Sequence, residues 1–234
     1  MKETIFSVKV GGDFACFTNP GLKVERCSYP VITPSAARGL LEAIFWKPEF
    51  RWEIREIKIL KPVKYINIMR NEIEDRQSKK PIIIEDKRQQ RVSMILKDVE
   101  YIINAAITLR TSEHAFGKYA AQFQRKLEGG QCHHTPYLGT REFAAWFEPA
   151  IGREAPEQAF NISVGKMLFD IAYREDAKRR EIEFHRHAEN EKRVAAGYAH
   201  ALYFDAEVID NTMTIPRAKY EELYKLEGRT CLMS

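Results

Sequence analysis

Residues 33–62 read TPSAARGLLEAIFWKPEFRWEIREIKILKP, and this stretch decides the fold. Thr33 is a good N-cap, and Pro34 sits in a first helical turn, where proline is favoured. Ala37, Leu40, Leu41, Ile44 and Phe45 then recur at helical spacing and form one apolar stripe. Pro48 ends the helix after Trp46-Lys47. Beyond it the period changes. Trp52, Ile54, Ile57 and Ile59 are spaced among charges, which predicts a strand closed by Pro62.

The same reading extends outward. Upstream, Phe6, Val8 and Val10 alternate with Ser7 and Lys9, so residues 4–10 form a strand with one buried face. Downstream, Val63 to Met69 is extended. Residues 70–91 are polar, charged and broken by Pro81, and they read as a long basic loop. Residues 92–109 are rich in β-formers and give one long strand or two short ones. A second helix is expected over 113–127, with Phe116, Tyr119, Ala120, Phe123 and Leu127 on one face and Gly129-Gly130 as its stop. Tyr137 to Phe147 returns as a strand bent at Gly139. Strand, helix, strand, strand, helix, strand is the α+β, ferredoxin-like (RRM-like) βαββαβ arrangement, placed here in residues 1–148. RNA binders use it, but so do many unrelated functions.

Pro149, Gly152 and Pro156 mark a boundary. Residues 149–234 read as a smaller β-rich C-terminal domain, with strands near 164–173, 199–208 and 213–215. Residues 174–193, REDAKRREIEFHRHAENEKR, have high helix propensity and are expected as a charged helical insertion. His185 and His187 would lie on that helix, facing different sides.

The chain has 234 residues, 30% of them charged, and a net charge of +4. That balance permits a polyanionic partner without demanding one. Cys16, Cys27, Cys132 and Cys231 form no CxxC pair, and the first residues read as a strand rather than a leader. Reduced thiols in a cytoplasmic protein are expected. The longest apolar runs fall well short of a membrane span. No P-loop, HExxH or GxSxG motif occurs, and no metal or other cofactor is expected.

Three segments could carry chemistry. His114 and Lys118 are four apart, so a helix begun by His114 puts them on one face. A neutral imidazole in a first turn can take a proton from a ribose 2′-hydroxyl, and an ammonium can stabilise the charged phosphorane. The plain alternative is a surface His and Lys at a helix start. Next come Gly129-Gly130-Gln131-Cys132-His133-His134, preceded by Arg125 and Lys126. The glycines allow close approach to a phosphate, whereas three adjacent ligands suit a tetrahedral metal poorly. A simple helix stop and turn fits equally well. The third is Arg70, Lys79, Lys80, Lys87, Arg88 and Arg91, either phosphate contacts or a solvated loop. His200, in an apolar run, reads as a core or edge histidine.

Several segments together resemble one family. They are residues 12–18 (GDFACFT), 35–48 (SAARGLLEAIFWKP), 88–91 (RQQR), 137–143 (YLGTREF) and 164–170 (VGKMLFD). These resemble the CRISPR-associated Cas-five proteins of subtype I-C (Dvulg), in the RAMP superfamily. The resemblance implies an endoribonuclease that cuts precursor CRISPR RNA at the base of the repeat hairpin without a metal. The 2′-hydroxyl would attack the adjacent phosphate and leave a cyclic phosphate. It implies further that the protein stays on the 5′ handle as a Cascade subunit, beside the backbone and large subunits.

The family's catalytic pattern transfers in part. Where some members carry Tyr near the end of helix one, this chain has Phe45. Where members carry Gly-Lys-His, it has Gly117-Lys118-Tyr119. Lys118 is the leading catalytic candidate, Tyr119 orients or donates, and His114 would replace the missing base. RNA binding is assigned to Arg38, Lys47, Arg88, Arg91, Arg125, Lys126, His133, His134 and Arg141. The second reading is a Cascade subunit that binds the guide RNA without cutting it. A metal-dependent DNase is a third, for which no carboxylate cluster argues.

Overall fold

The computed structural model describes residues 3–22, 25–73, 81–110, 116–188 and 191–228. The helix of the deciding stretch is α1 (Pro34–Ile44), and the Ala36 N–H donates to Thr33 Oγ1 at 3.2 Å. Its stripe of Ala37, Leu40, Leu41 and Ile44 is buried. Phe45 leaves the helix in an extended conformation, and its carbonyl accepts from Trp52 Nε1 at 2.9 Å. This bond fastens the turn between α1 and β2 (Phe50–Ile59).

β1 (Ile5–Ala15) turns Phe6, Val8 and Val10 inward, as the alternation demands. The organising strand is β4 (Arg88–Leu109), 22 residues long. Its first part pairs with β3 (Tyr65–Ile73). Its later part runs antiparallel between β1 and β2. After β4 come α3 (Phe116–Glu128) and the short strand β5 (Trp146–Pro149). The sheet order is β5-β1-β4-β2-β9, where β9 is Thr212–Thr214. The fold class is thus α+β with antiparallel sheets.

Three expectations are corrected. The basic loop over 70–91 is shorter: β3 continues to Ile73, α2 (Ile84–Lys87) makes one turn, and β4 begins at Arg88. Ladder pairs such as Arg70↔Arg91 and Glu72↔Gln89 carry strand structure through polar sequence. Ladder hydrogen bonds and cross-strand contacts, absent from local propensity, decide it.

Residues 137–145 form a turn rather than a strand. The Leu138 N–H bonds the Phe143 carbonyl at 2.8 Å, and only Tyr137↔Ala144 bridges. Gly139 has φ of +87°, and a Cβ there would stand 1.9 Å from the Cys16 carbonyl oxygen. Only glycine permits that approach.

The described residues of the charged segment 174–193 form no helix. The segment closes β6 (Ile162–Glu175), makes β7 (Ile182–Ala188) and opens β8 (Glu191–Val208). These form a second sheet in the order β6-β8-β7. Ile182 and Phe184 are half-buried while Glu183 and His185 are exposed, and Glu175 pairs with both Arg186 and Arg193. Cross-strand ion pairs thus take the place of helical ones. His185 and His187 lie on β7, and His200 is exposed on β8. Cys16, Cys27 and Cys132 are free thiols, and Cys231 lies outside the described residues.

The sheets share one apolar core. Met167, Phe169 and Phe204 pack in the same cluster as Val8, Leu41 and Ile54. α4 (Arg217–Leu226), which follows β9, packs on β6 and β8 and sets Tyr220 and Tyr224 against the β2 residues Arg51, Glu53 and Ile54, two of which the alternation would leave in water. There Arg51 and Glu53 are buried. Asp170 of β6 takes a two-point contact from Arg38 at 2.9 Å and a 2.7 Å bond from Arg51 Nη2. Arg51 also faces Glu227 at 3.4 Å, and the Tyr224 hydroxyl donates to Glu53. Burial alone would raise the Asp170 carboxyl; the Arg38 and Arg51 charges outweigh it and hold the group at about 2.

A carboxyl depressed in the folded state stabilises fully above its unfolded value near 4 and loses that contribution as pH falls toward 2. Asp170→Asn, which leaves Arg51 buried beside a neutral amide, is expected to lower stability by about 3–5 kcal/mol at pH 7. It should also flatten the acid limb between pH 4 and pH 2. Urea unfolding across that range checks both.

Candidate functional site at the end of helix α1

The C-terminal end of α1 meets α3 and the loop after it. Aromatic packing sets the spacing. Phe123 of α3 lies 4.6 Å from Trp52, 5.3 Å from Phe6 and 6.5 Å from Phe45, measured between ring centroids. Phe50 stands 5.5 Å from both Phe45 and Tyr119. Phe45, the position where a tyrosine hydroxyl would be sought, is therefore sealed in the core.

Gly130, with φ of +60°, ends α3. The chain then turns back, and the His133 and His134 N–H groups both donate to the Ala43 carbonyl of α1, at 2.9 and 3.0 Å. Two carbonyl lone pairs accept both bonds. The imidazoles stand exposed with ring centroids 4.3 Å apart. Lys47, four residues beyond Ala43, is exposed as well.

Lys118 is exposed in the first turn of α3 and makes no ion pair among the described residues. Its ammonium is available to a phosphate oxygen. Tyr119 beside it is buried, and burial followed by the Glu49 carboxylate raises its phenol. It stays protonated at neutral pH and suits donation, not proton abstraction. Glu49 is a member of this site that the sequence did not announce. Its Oε2 is buried without a hydrogen-bond partner among the described residues. His114 lies outside the described residues.

The remaining predicted residues divide. Arg125 and Lys126 occupy the last turn of α3. Arg88 and Arg91 stand away from the helices on the β3–β4 hairpin, where Arg91 bonds Gln89 and faces Glu72. Arg70 pairs with Glu142 at 2.5 Å. Lys79 and Lys80 lie outside the described residues. Arg141 is exposed in the 137–145 turn. Arg38 is committed to Asp170 and to Glu42, the latter at 2.7 Å, so its guanidinium joins elements together. No group of three side chains placed to hold a metal occurs among the described residues.

Comparison with known proteins places this chain among CRISPR-associated proteins. It belongs to the Cas5 family: the Cas5d profile, described as a CRISPR-associated protein, matches residues 6–204. A protein of Thermus thermophilus named CRISPR pre-crRNA endoribonuclease Cas5d is 51% identical over 221 residues, 94% of this chain and 95% of the relative. One of the same name from Mannheimia succiniciproducens is 40% identical over 187 residues, 70% of this chain and 83% of the relative. A crystal structure of a CRISPR-associated protein aligns with a TM-score of 0.64 at 21% identity, covering 93% of this chain and 94% of that one. A functionally uncharacterized Streptococcus mutans protein aligns with a TM-score of 0.63 at 18% identity, over the same shares of the two chains. Both structures bear on the fold alone.

The aromatic cluster makes one clear demand. Phe123→Ala opens a cavity between α1, α3 and the sheet, and is expected to lower stability by about 3–5 kcal/mol. The midpoint of urea unfolding measures it.

Proposed function

We propose that this chain is an endoribonuclease that cuts precursor CRISPR RNA within the repeat, and then stays on the 5′ handle as a subunit of the Cascade surveillance complex. The observation that carries the reading is the 51% identity, over nearly the whole chain, to a protein named for that activity. The site supports it chemically. A ribose 2′-hydroxyl attacks the adjacent phosphorus, and the 5′-oxygen leaves. Lys118 stabilises the extra negative charge on the phosphorane, which needs only a positioned cation. Tyr119, held protonated, donates toward the leaving oxygen. His114 remains the proposed base. His133, His134, Lys47, Arg125 and Lys126 contact the phosphodiester backbone around the α1 end, and Arg88 and Arg91 extend that contact along the hairpin.

We also read β1-α1-β2-β4-α3-β5 as a ferredoxin-like βαββαβ unit with β3 inserted. The supporting observation is the order β5-β1-β4-β2, all neighbours antiparallel, with a helix in each of the β1–β2 and β4–β5 connections. Residues 1–148 would form the RNA-binding and catalytic unit, and residues 149–234 a second unit that braces it.

A binding subunit that does not cut is the second reading. It is favoured by Phe45, which has no hydroxyl and no access to solvent, and by the buried Tyr119.

Repeat RNA incubated with the protein in EDTA separates the two. The expected product ends in a 2′,3′-cyclic phosphate, and Lys118→Ala should slow its formation by about 10²–10³-fold while RNA is still bound. Tight binding without cleavage by either protein would leave the second reading standing. Unchanged cleavage by His114→Ala would remove that histidine from the mechanism.

A further inference from the structure

At the other end of α1 the surface opens into a cleft of about 300 Å³, lined by Phe17, Thr18, Ser35, Gly39, Tyr137 and Leu168 among others. We infer that this cleft takes one unstacked nucleobase of the bound RNA, an inference that rests on the RNA-binding reading above.

The lining chemistry selects the occupant. Among the described residues, none that line the cleft is charged. A phosphate or a carboxylate placed there would meet no charged side chain, only the first turn of α1, whose Ala36 and Ala37 amides are already taken by Thr33. A base, flat and neutral with donors and acceptors on its edge, loses little. Tyr137 is 39% exposed and offers a ring face for stacking. The hydroxyls of Thr18 and Ser35 each have one neighbour, Cys16 Sγ at 3.5 Å and Thr33 Oγ1 at 3.2 Å. A hydroxyl can donate once and accept twice, so both keep capacity for a base edge.

The rim supplies what the interior lacks. Arg141 is exposed two residues beyond Gly139, and Lys166 is exposed two residues before Leu168 on the same side of β6. These cations suit the phosphates on either side of an extruded nucleotide. Gly39 keeps the mouth open: a Cβ placed there would meet no atom within 4 Å.

The position of the cleft relative to the cutting site follows from the helix between them. α1 has 11 residues, which at ~1.5 Å each is about 16 Å. Stacked nucleotides rise ~3.4 Å apiece, so for a strand that runs straight along α1 the captured base lies about five nucleotides or fewer from the scissile phosphate.

The test is a series of repeat RNAs, each with one unpaired nucleotide made abasic, bound to the full chain. For the parent protein, one position is expected to lose about tenfold in affinity. Gly39→Leu fills the mouth and improves helix propensity, so it folds at least as stably. Tyr137→Ala removes the stacking face. Both should bind unmodified RNA about tenfold more weakly and become insensitive to the abasic position. RNA that binds with a flat abasic series overturns the cleft assignment alone. So does a sensitive position that survives in both variants. Failure of the parent protein to bind unmodified repeat RNA removes the functional reading, and the cleft assignment with it.

Discussion

The carboxylate of Asp170 is the point on which the arrangement depends. It reaches from β6 to Arg38 on α1 and Arg51 on β2, and Arg51 passes the contact on to Glu227 just beyond α4. Burying these charges is expensive, and the cost is offset only when every partner is in place. An apolar contact tolerates sliding; a two-point guanidinium–carboxylate contact does not. The second sheet and the last helix can therefore dock on the first sheet in one register.

That constraint reaches the two regions assigned to RNA. α1 is gripped near its start by the Arg38–Asp170 contact. At its end it is held by the aromatic cluster around Phe123 and by the two amides on the Ala43 carbonyl. The cleft and the Lys118 region sit at opposite ends of one braced helix. Their separation is a property of a rigid element rather than of a loop, as a site that must hold its substrate in register requires. Gly139 adds a further tie, since its close approach to Cys16 fixes the turn that carries Tyr137 and Arg141.

Much of this was legible in the residue pattern, because burial imposes a period. The stripe of α1, the alternation of β1 and the glycine stop of α3 all reappear in the structure. The spacing of Tyr220, Leu223 and Tyr224, three and four apart, carries the signal of α4, a helix that the strands expected over residues 149–234 do not include. Residues 174–193 misled because their charges suit a helix as well as a strand, and the partner that decides, β8, lies further along the chain. Arg38 read as a cation for RNA because its carboxylate partner is 132 residues away.

The sequence by itself determined the stripe of α1, the alternation of β1, the apolar positions of β2, the buried face of α3 and the family, because these follow from local periodicity and from motifs read in order. Only the tertiary structure decided that β2 buries its charged face, that Phe45 is sealed while Lys118 is open, and that a neutral cleft lies beyond the start of α1. The physical reason is that burial and ion pairing are relations between distant residues. A side chain's chemistry is written in the sequence, but whether it is spent on the fold or left for a ligand depends on what the chain brings against it.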